Sequence, residues 1–397
     1  MRVTGGRVFH EGRFIPATLS IEGEHFTAIE PVDPQKAAAE GSSTAAMVGD
    51  ATVAQDRAHG DLAADGLLVI PGLIDVHFHG CMGHDFCEGT AETLHAIARY
   101  EASRGVTALC PTTMTFPEDL LGRVMDAARM FDAAADEAAF VGINMEGPFI
   151  SHGKIGAQNP TYVTPCDAAL FRRLQKRAGG LIKIVDIAPE EPGALEFTRE
   201  VADEVRVSVA HTCANYDQAR AAFEAGANHV THLCNAMAPL HHRDPGPIAA
   251  AFDAPHVMVE LICDGVHIHP AMVRALFALF GDDRIMLISD TMEAAGLTDG
   301  SYELGGQEVS VKGNRATLAS GTLAGSVTDL MGCLRAAVRD MGVSLETAVR
   351  AAALNPARAL GIDHERGAIA PGMIADAVVL DEQLNVRHVI VRGRLLA

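Results

Sequence analysis

The chain has 397 residues, 48% of them hydrophobic and 21% charged, enough apolar material for one large α/β domain with a small companion. Its formal net charge of -20 leaves no basic face for a nucleic acid, although a few Arg, Lys and backbone N–H groups still suffice to hold one phosphate. No stretch of about 18 uninterrupted apolar residues occurs and the first residues lack a secretory pattern, so a cytoplasmic protein without a membrane span is expected.

Along residues 1–30, short β-like runs alternate with Gly turns, and the last 30 residues do the same. Both ends read as strands of one small β-sandwich built from 1–70 and 365–397. Residues 31–65, rich in Ala, Ser, Asp and Gly with little periodicity, read as an inserted loop in that domain. The 8 cysteines form no C-x-x-C pair and read as reduced thiols.

Between the ends lies a regular alternation. Strand-like apolar runs fall at 68–79, 107–113, 140–146, 182–188, 205–211, 229–233, 257–263 and 284–289. Amphipathic helix-like segments separate them at 91–103, 118–131, 168–177, 194–204, 216–225, 247–252 and 271–280, with a last one at 327–341. Alternating strand and helix means a parallel sheet, and eight units mean a closed (β/α)8 TIM-type barrel over 71–364. A doubly wound open sheet competes, but no G-x-G-x-x-G follows the first strand.

Chemistry-bearing residues gather at the ends of these runs, where such a barrel keeps its active site. The first ends in His77-Phe78-His79, and residues two apart on a strand face the same side, so both imidazoles can reach one ion. Glu146, His211, His232, His267 and Asp290 stand at the ends of later runs. Three or more N/O ligands with an open position suit a catalytic zinc-type ion, which activates water and polarises a carbonyl. One acid must remain to carry the proton to a leaving nitrogen, and Asp290 is that residue.

These residues resemble the amidohydrolase superfamily. The runs Glu146-Gly147-Pro148-Phe149, Thr231-His232-Leu233-Cys234-Asn235-Ala236-Met237, Asp264-Gly265-Val266-His267 and Gly321-Thr322-Leu323-Ala324-Gly325-Ser326 look more specifically like its N-acetylglucosamine-6-phosphate deacetylase family. The resemblance implies Glu146, His211 and His232 as main metal ligands, with His77 and His79 at a second position that some members retain. It implies one or two divalent ions, zinc first, with iron, manganese or cobalt as the other choices. It implies Asp290 as acid/base, His267 against the sugar near the reaction centre, Asn235 and the Ala236 N–H on the phosphate, and Leu323, Ala324 and Gly325 along the substrate. Arg243 matches a phosphate-binding arginine that reaches in from a neighbouring subunit, which implies a homodimer. No lysine in the fourth run, Lys183 included, matches a bridging ligand.

The sequence departs from the family at Gly156-Ala157-Gln158, beside the acyl group of the substrate. Gln158 stands where the family usually has a histidine that contacts the acetyl carbonyl; Gln still donates a hydrogen bond but carries no charge. The implied reaction is hydrolysis of N-acetylglucosamine 6-phosphate to glucosamine 6-phosphate and acetate. The competing substrates are N-acetylgalactosamine 6-phosphate, an unphosphorylated N-acetyl sugar or an N-acyl amino acid. A catalytically dead scaffold would have lost ligands, and every one is present.

Overall fold

The computed structural model describes residues 1–32, 55–56 and 60–396. Most of the inserted loop expected at 31–65 lies outside the described residues. Both ends of the chain meet in one ten-stranded sheet. Leu68–Pro71 is the seam: it runs parallel to Arg7–His10 and antiparallel to Ala377–Leu380. Val8, Leu19, Phe26, Val69, Ala377, Val379 and Ile390 pack as the core of this part. The apolar runs Phe14-Ile15 and Leu19-Ile21 belong to one ten-residue strand, Arg13–Glu22.

The long run at 68–79 is two strands. Leu68–Pro71 belongs to the terminal sheet, whereas Leu73–Asp75 pairs in parallel with Val106–Leu109. The chain passes between them at Gly72, whose N–H donates to the Asp376 carbonyl at 3.0 Å. A Cβ on Gly72 would lie 2.1 Å from Thr107 Oγ1, so only glycine allows this crossing.

Beyond Gly72 the strands are parallel. Leu73–Asp75, Val106–Leu109 and Ala139–Phe140 form one sheet. Ile143–Met145, Ile182–Ile187, Arg206–Val209, His229–Val230, Met258–Ile262 and Ile285–Ile288 form the next, in sequence order. A parallel bridge between Thr112 and Asn144 joins the two sheets, and on the far side the Asp290 N–H donates to the His77 carbonyl at 2.9 Å. Helices separate the strands, among them Ala91–Ser103, Glu118–Met130, Ala168–Arg177, Ala194–Val201 and Tyr216–Glu224. Their starts are chemically marked: Thr90, Asp167 and Asn215 each cap the first turn with a side-chain oxygen. This parallel framework fits a TIM-type barrel.

Three features exceed the expectation. Gly300–Leu304, Gln307–Lys312 and Arg315–Thr317 form an antiparallel sheet of their own. Two short helices, Leu345–Ala352 and Leu354–Leu360, follow Leu330–Arg339. No helix among the described residues is long and apolar enough to cross a membrane.

Candidate metal centre and active site

The strand ends bring the expected histidines together. His77, His79 and Glu146 offer ligand atoms within 4.8 Å of one another, and so do Glu146, His211 and His232, with Glu146 shared. His211 Nε2 and His232 Nε2 lie 2.9 and 3.0 Å from Glu146 Oε1. His77 Nε2 and His79 Nε2 lie 3.8 and 3.5 Å from Glu146 Oε2, and 3.6 and 3.3 Å from Asp290 Oδ1.

The outer ring nitrogens explain why the inner ones converge. His77 Nδ1 bonds Glu260 at 3.0 Å, His79 Nδ1 the Thr112 carbonyl at 3.2 Å, and His211 Nδ1 the Lys154 carbonyl at 2.8 Å. Each acceptor holds a proton on Nδ1, so in the neutral ring, the form that ligates a cation, Nε2 is the lone pair offered to the cluster. His77 Nε2 is buried and has no hydrogen-bond partner. An orphaned imidazole nitrogen facing two carboxylates is the donor set a divalent cation takes, so the residues present fit a metal ion.

The backbone is shaped for this. His211, His232 and Asp290 take φ values of 41°, 28° and 52°, and Ala236 takes 48°, all in the left-handed region. Such conformations cost free energy and persist where surrounding structure over-determines them, commonly at functional sites. Gly147 follows Glu146 at φ 75°, and a Cβ there would meet Thr115 Oγ1 at 2.0 Å.

Electrostatics follow from the same contacts. Burial works to raise the carboxyl of Glu146, but His77, His211 and His232 hold it well below the usual carboxylate range. Burial likewise opposes ionisation of Asp290, and the His79 hydrogen bond with the charge of His77 and His79 outweighs it and holds that carboxyl low. Both therefore stand as carboxylates.

A cavity of about 250 Å³ opens onto this cluster. His79, Glu146, Gln158, His211, His232, His267 and Asp290 line it, together with Ala157, Asn235, Ala236, Leu323 and Gly325. Ala324 is buried behind its neighbours, and His77 lies beneath the floor. His267 is oriented by its Nδ1 contact to Asp264 at 2.8 Å. Asn235 Nδ2 donates to the carbonyls of His232 and Leu233 at 3.2 and 3.4 Å. Gln158 is engaged: its Nε2 donates to Glu146 Oε2 at 2.7 Å, and its Oε1 accepts from the Thr115 N–H at 2.7 Å. Arg243 stands apart. It is exposed, lines no part of this cavity, and its Nη1 meets His242 Nε2 at 2.6 Å.

Two contributors escaped the sequence reading. The antiparallel sheet at 300–317 supplies Leu304 to the cavity wall, and Gln307 Nε2 donates to the Ala157 carbonyl at 2.6 Å. Its signal was present, as period-two alternation broken by Gly305-Gly306 and Gly313. Glu260 was the other, a lone acid inside the apolar strand Met258–Ile262.

Fold and site define a parallel barrel-type α/β framework with a metal-capable centre at its strand ends. The profile of the amidohydrolase family matches residues 68–396, and the chain belongs to that family. It is 38% identical to N-acetylglucosamine-6-phosphate deacetylase of Bacillus subtilis (strain 168) over 84% of this chain and 85% of that one. It is 36% identical to N-acetylgalactosamine-6-phosphate deacetylase of Escherichia coli O157:H7, over 83% and 88%. Among solved structures, a point mutant of the Mycobacterium smegmatis N-acetyl-D-glucosamine-6-phosphate deacetylase, in complex with N-acetyl-D-glucosamine-6-phosphate, superposes with a TM-score of 0.88 at 33% identity. That match covers 100% of this chain and 99% of the other.

Proposed function

We propose that this amidohydrolase removes the acetyl group of N-acetylglucosamine 6-phosphate, giving glucosamine 6-phosphate and acetate. The observation that carries the reading is the cavity over Glu146, His211 and His232, in a chain whose M. smegmatis relative holds that sugar phosphate. The parallel strands close as a (β/α)8 barrel over 71–364, and the terminal strands form a sandwich domain from 1–70 and 365–397.

Glu146, His211 and His232 would hold a zinc ion, and His77 and His79 a second ion that shares Glu146. Such an ion polarises a carbonyl and lowers the pKa of a bound water toward about 7. Asp290 takes a proton at its carboxylate and delivers it to the leaving nitrogen, a role its position in the cavity wall supports. His267, fixed by Asp264, presents Nε2 to the sugar. Ala157, Leu323, Ala324 and Gly325 shape the wall around the sugar, and Asn235 with the Ala236 N–H receives the phosphate. Among the described residues no Lys or Arg lines the cavity, which supports Arg243 of a second subunit in a homodimer as the cationic partner for that phosphate.

The test is acetate release from N-acetylglucosamine 6-phosphate by metal-stripped and zinc-restored protein. Restored protein releases acetate and stripped protein does not; activity in the stripped protein sinks the metal reading. The E. coli relative makes the galactosamine epimer the second reading. A higher kcat/KM for N-acetylgalactosamine 6-phosphate in the same assay would install it.

A further inference from the structure

Glu260 lies in mid-strand, wholly buried. Its side-chain oxygens accept from three histidines, two of them in the cluster. Oε2 accepts from His77 Nδ1 at 3.0 Å and from the His232 backbone N–H at 3.0 Å, and Oε1 accepts from His229 Nε2 at 2.9 Å. A carboxylate drawn into an apolar strand is costly unless it is paired and fully hydrogen-bonded, and these three donors meet that need.

We propose that Glu260 is the positioning residue of the second cation site: it fixes the tautomer of His77 and ties that ring to the backbone of His232. The inference rests on the reading of His77, His79 and Glu146 as a cation site. An ionised Glu260 only accepts, so a neutral His77, the form that can ligate, carries its proton on Nδ1 and offers Nε2 as the lone pair. That Nε2 is the buried nitrogen without a partner, facing Glu146 and Asp290. The rival tautomer needs a donor to His77 Nδ1. Among the described residues the one in reach, Asn144 Nδ2, is 3.4 Å away and already donates to the Val76 carbonyl at 3.2 Å. Glu260 thus decides which face of the ring can ligate. Through His232 it also holds a ligand of the first site, whose φ of 28° needs such a restraint.

The experiment titrates metal-free protein with Co²⁺, followed by visible absorption and by elemental analysis of the desalted complex. Wild type, Glu260→Met and Glu260→Gln are compared, with circular dichroism and thermal melting as controls of fold. Wild type binds two equivalents. Glu260→Met, which keeps the volume and removes the acceptor, binds the second equivalent about 10–100-fold more weakly. Its first equivalent changes by less than about tenfold, since the ligands there keep their other partners. Glu260→Gln, whose amide oxygen can still accept from His77, restores part of the loss. Two equally tight equivalents in a folded Glu260→Met variant overturn the proposal and leave the two-ion reading standing. One equivalent in wild type overturns both. Equal weakening at both sites, without rescue by Gln, makes Glu260 a folding residue and overturns the proposal. Should Glu260→Met fail to fold, ¹⁵N NMR of the rings in the unaltered protein, taken at a pH where His77 is neutral, decides: the proton on Nδ1 supports the proposal, and on Nε2 overturns it.

Discussion

Gln158 Nε2 donates to Glu146 Oε2 at 2.7 Å while the Thr115 N–H donates to Gln158 Oε1 at 2.7 Å, so the amide braces the carboxylate shared by both ligand groups. The other amide hydrogen faces Met114 Sδ at 3.6 Å. In this arrangement Gln158 bears on the ligand cluster through its contact with Glu146. Gln158→Ala strands the Thr115 N–H and frees Glu146 to turn. Metal affinity is expected to fall about tenfold, in the range seen when partners of ligands are removed. Gln158→Glu sets a second negative charge against Glu146 Oε2 and is expected to shift affinity further from wild type than Ala does. Competition titration against a chromophoric chelator measures both, and unchanged affinity in Gln158→Ala would show the brace to be idle.

Asp290→Asn tests proton transfer with little disturbance of structure. Position 290 sits at φ 52°, a conformation Asn tolerates, and its backbone N–H and carbonyl bond His77 and Ser326 whatever the side chain. The expected result is a fall in kcat of about 10²–10⁴-fold with normal folding and an occupied first metal site. A variant with near wild-type kcat would remove Asp290 from the reaction.

The histidine cluster was legible because the fold converts strand-end position into proximity. His77 and His79, two residues apart just past the strand Leu73–Asp75, reach the same cluster, and Glu146, His211, His232 and Asp290 each close a recognisable apolar run. The orienting partners were not legible. Glu260 is 183 residues from His77, and the Thr112 and Lys154 carbonyls carry no side-chain signature at all. The run at 68–79 looked like one strand because both halves are fully buried, and periodicity cannot tell which sheet buries them. Only Gly72, read as a crossing, marks the passage.

The terminal sheet offers a test of stability apart from chemistry. Arg366 and Asp376 form a buried ion pair between the segment that follows the last helix and the strand Ala377–Leu380. Asp376 also accepts the Arg392 N–H at 2.8 Å. Removing one partner leaves a buried charge, so Arg366→Met is expected to cost about 3–5 kcal/mol. The double variant Arg366→Met/Asp376→Asn should recover part of this, because the uncompensated charge is gone. Urea unfolding reads the loss, and kcat of the folded fraction stays near wild type because neither residue lines the cavity. An Arg366→Met midpoint equal to wild type would rule the pair out as a stabilising contact.

Arg243 decides whether the active site is completed by a second subunit. It is exposed and outside its own cavity, whose lining among the described residues includes no Lys or Arg for a phosphate. Arg243→Ala is therefore expected to raise KM for the phosphorylated sugar by about 10–100-fold, the value of a charge-assisted hydrogen-bond pair, and to leave kcat/KM for N-acetylglucosamine unchanged. The subunit question follows from mixing. In a homodimer unfolded and refolded from equal parts Arg243→Ala and Asp290→Asn, half of the molecules are hybrids, and each hybrid holds one site with both residues intact. Activity at low phosphorylated substrate should then return to about a quarter of wild type. If Arg243 serves its own chain, every site in the mixture lacks one residue and no activity returns. Recovery in the mixture together with near-zero activity of either variant alone is the pattern only a shared site produces.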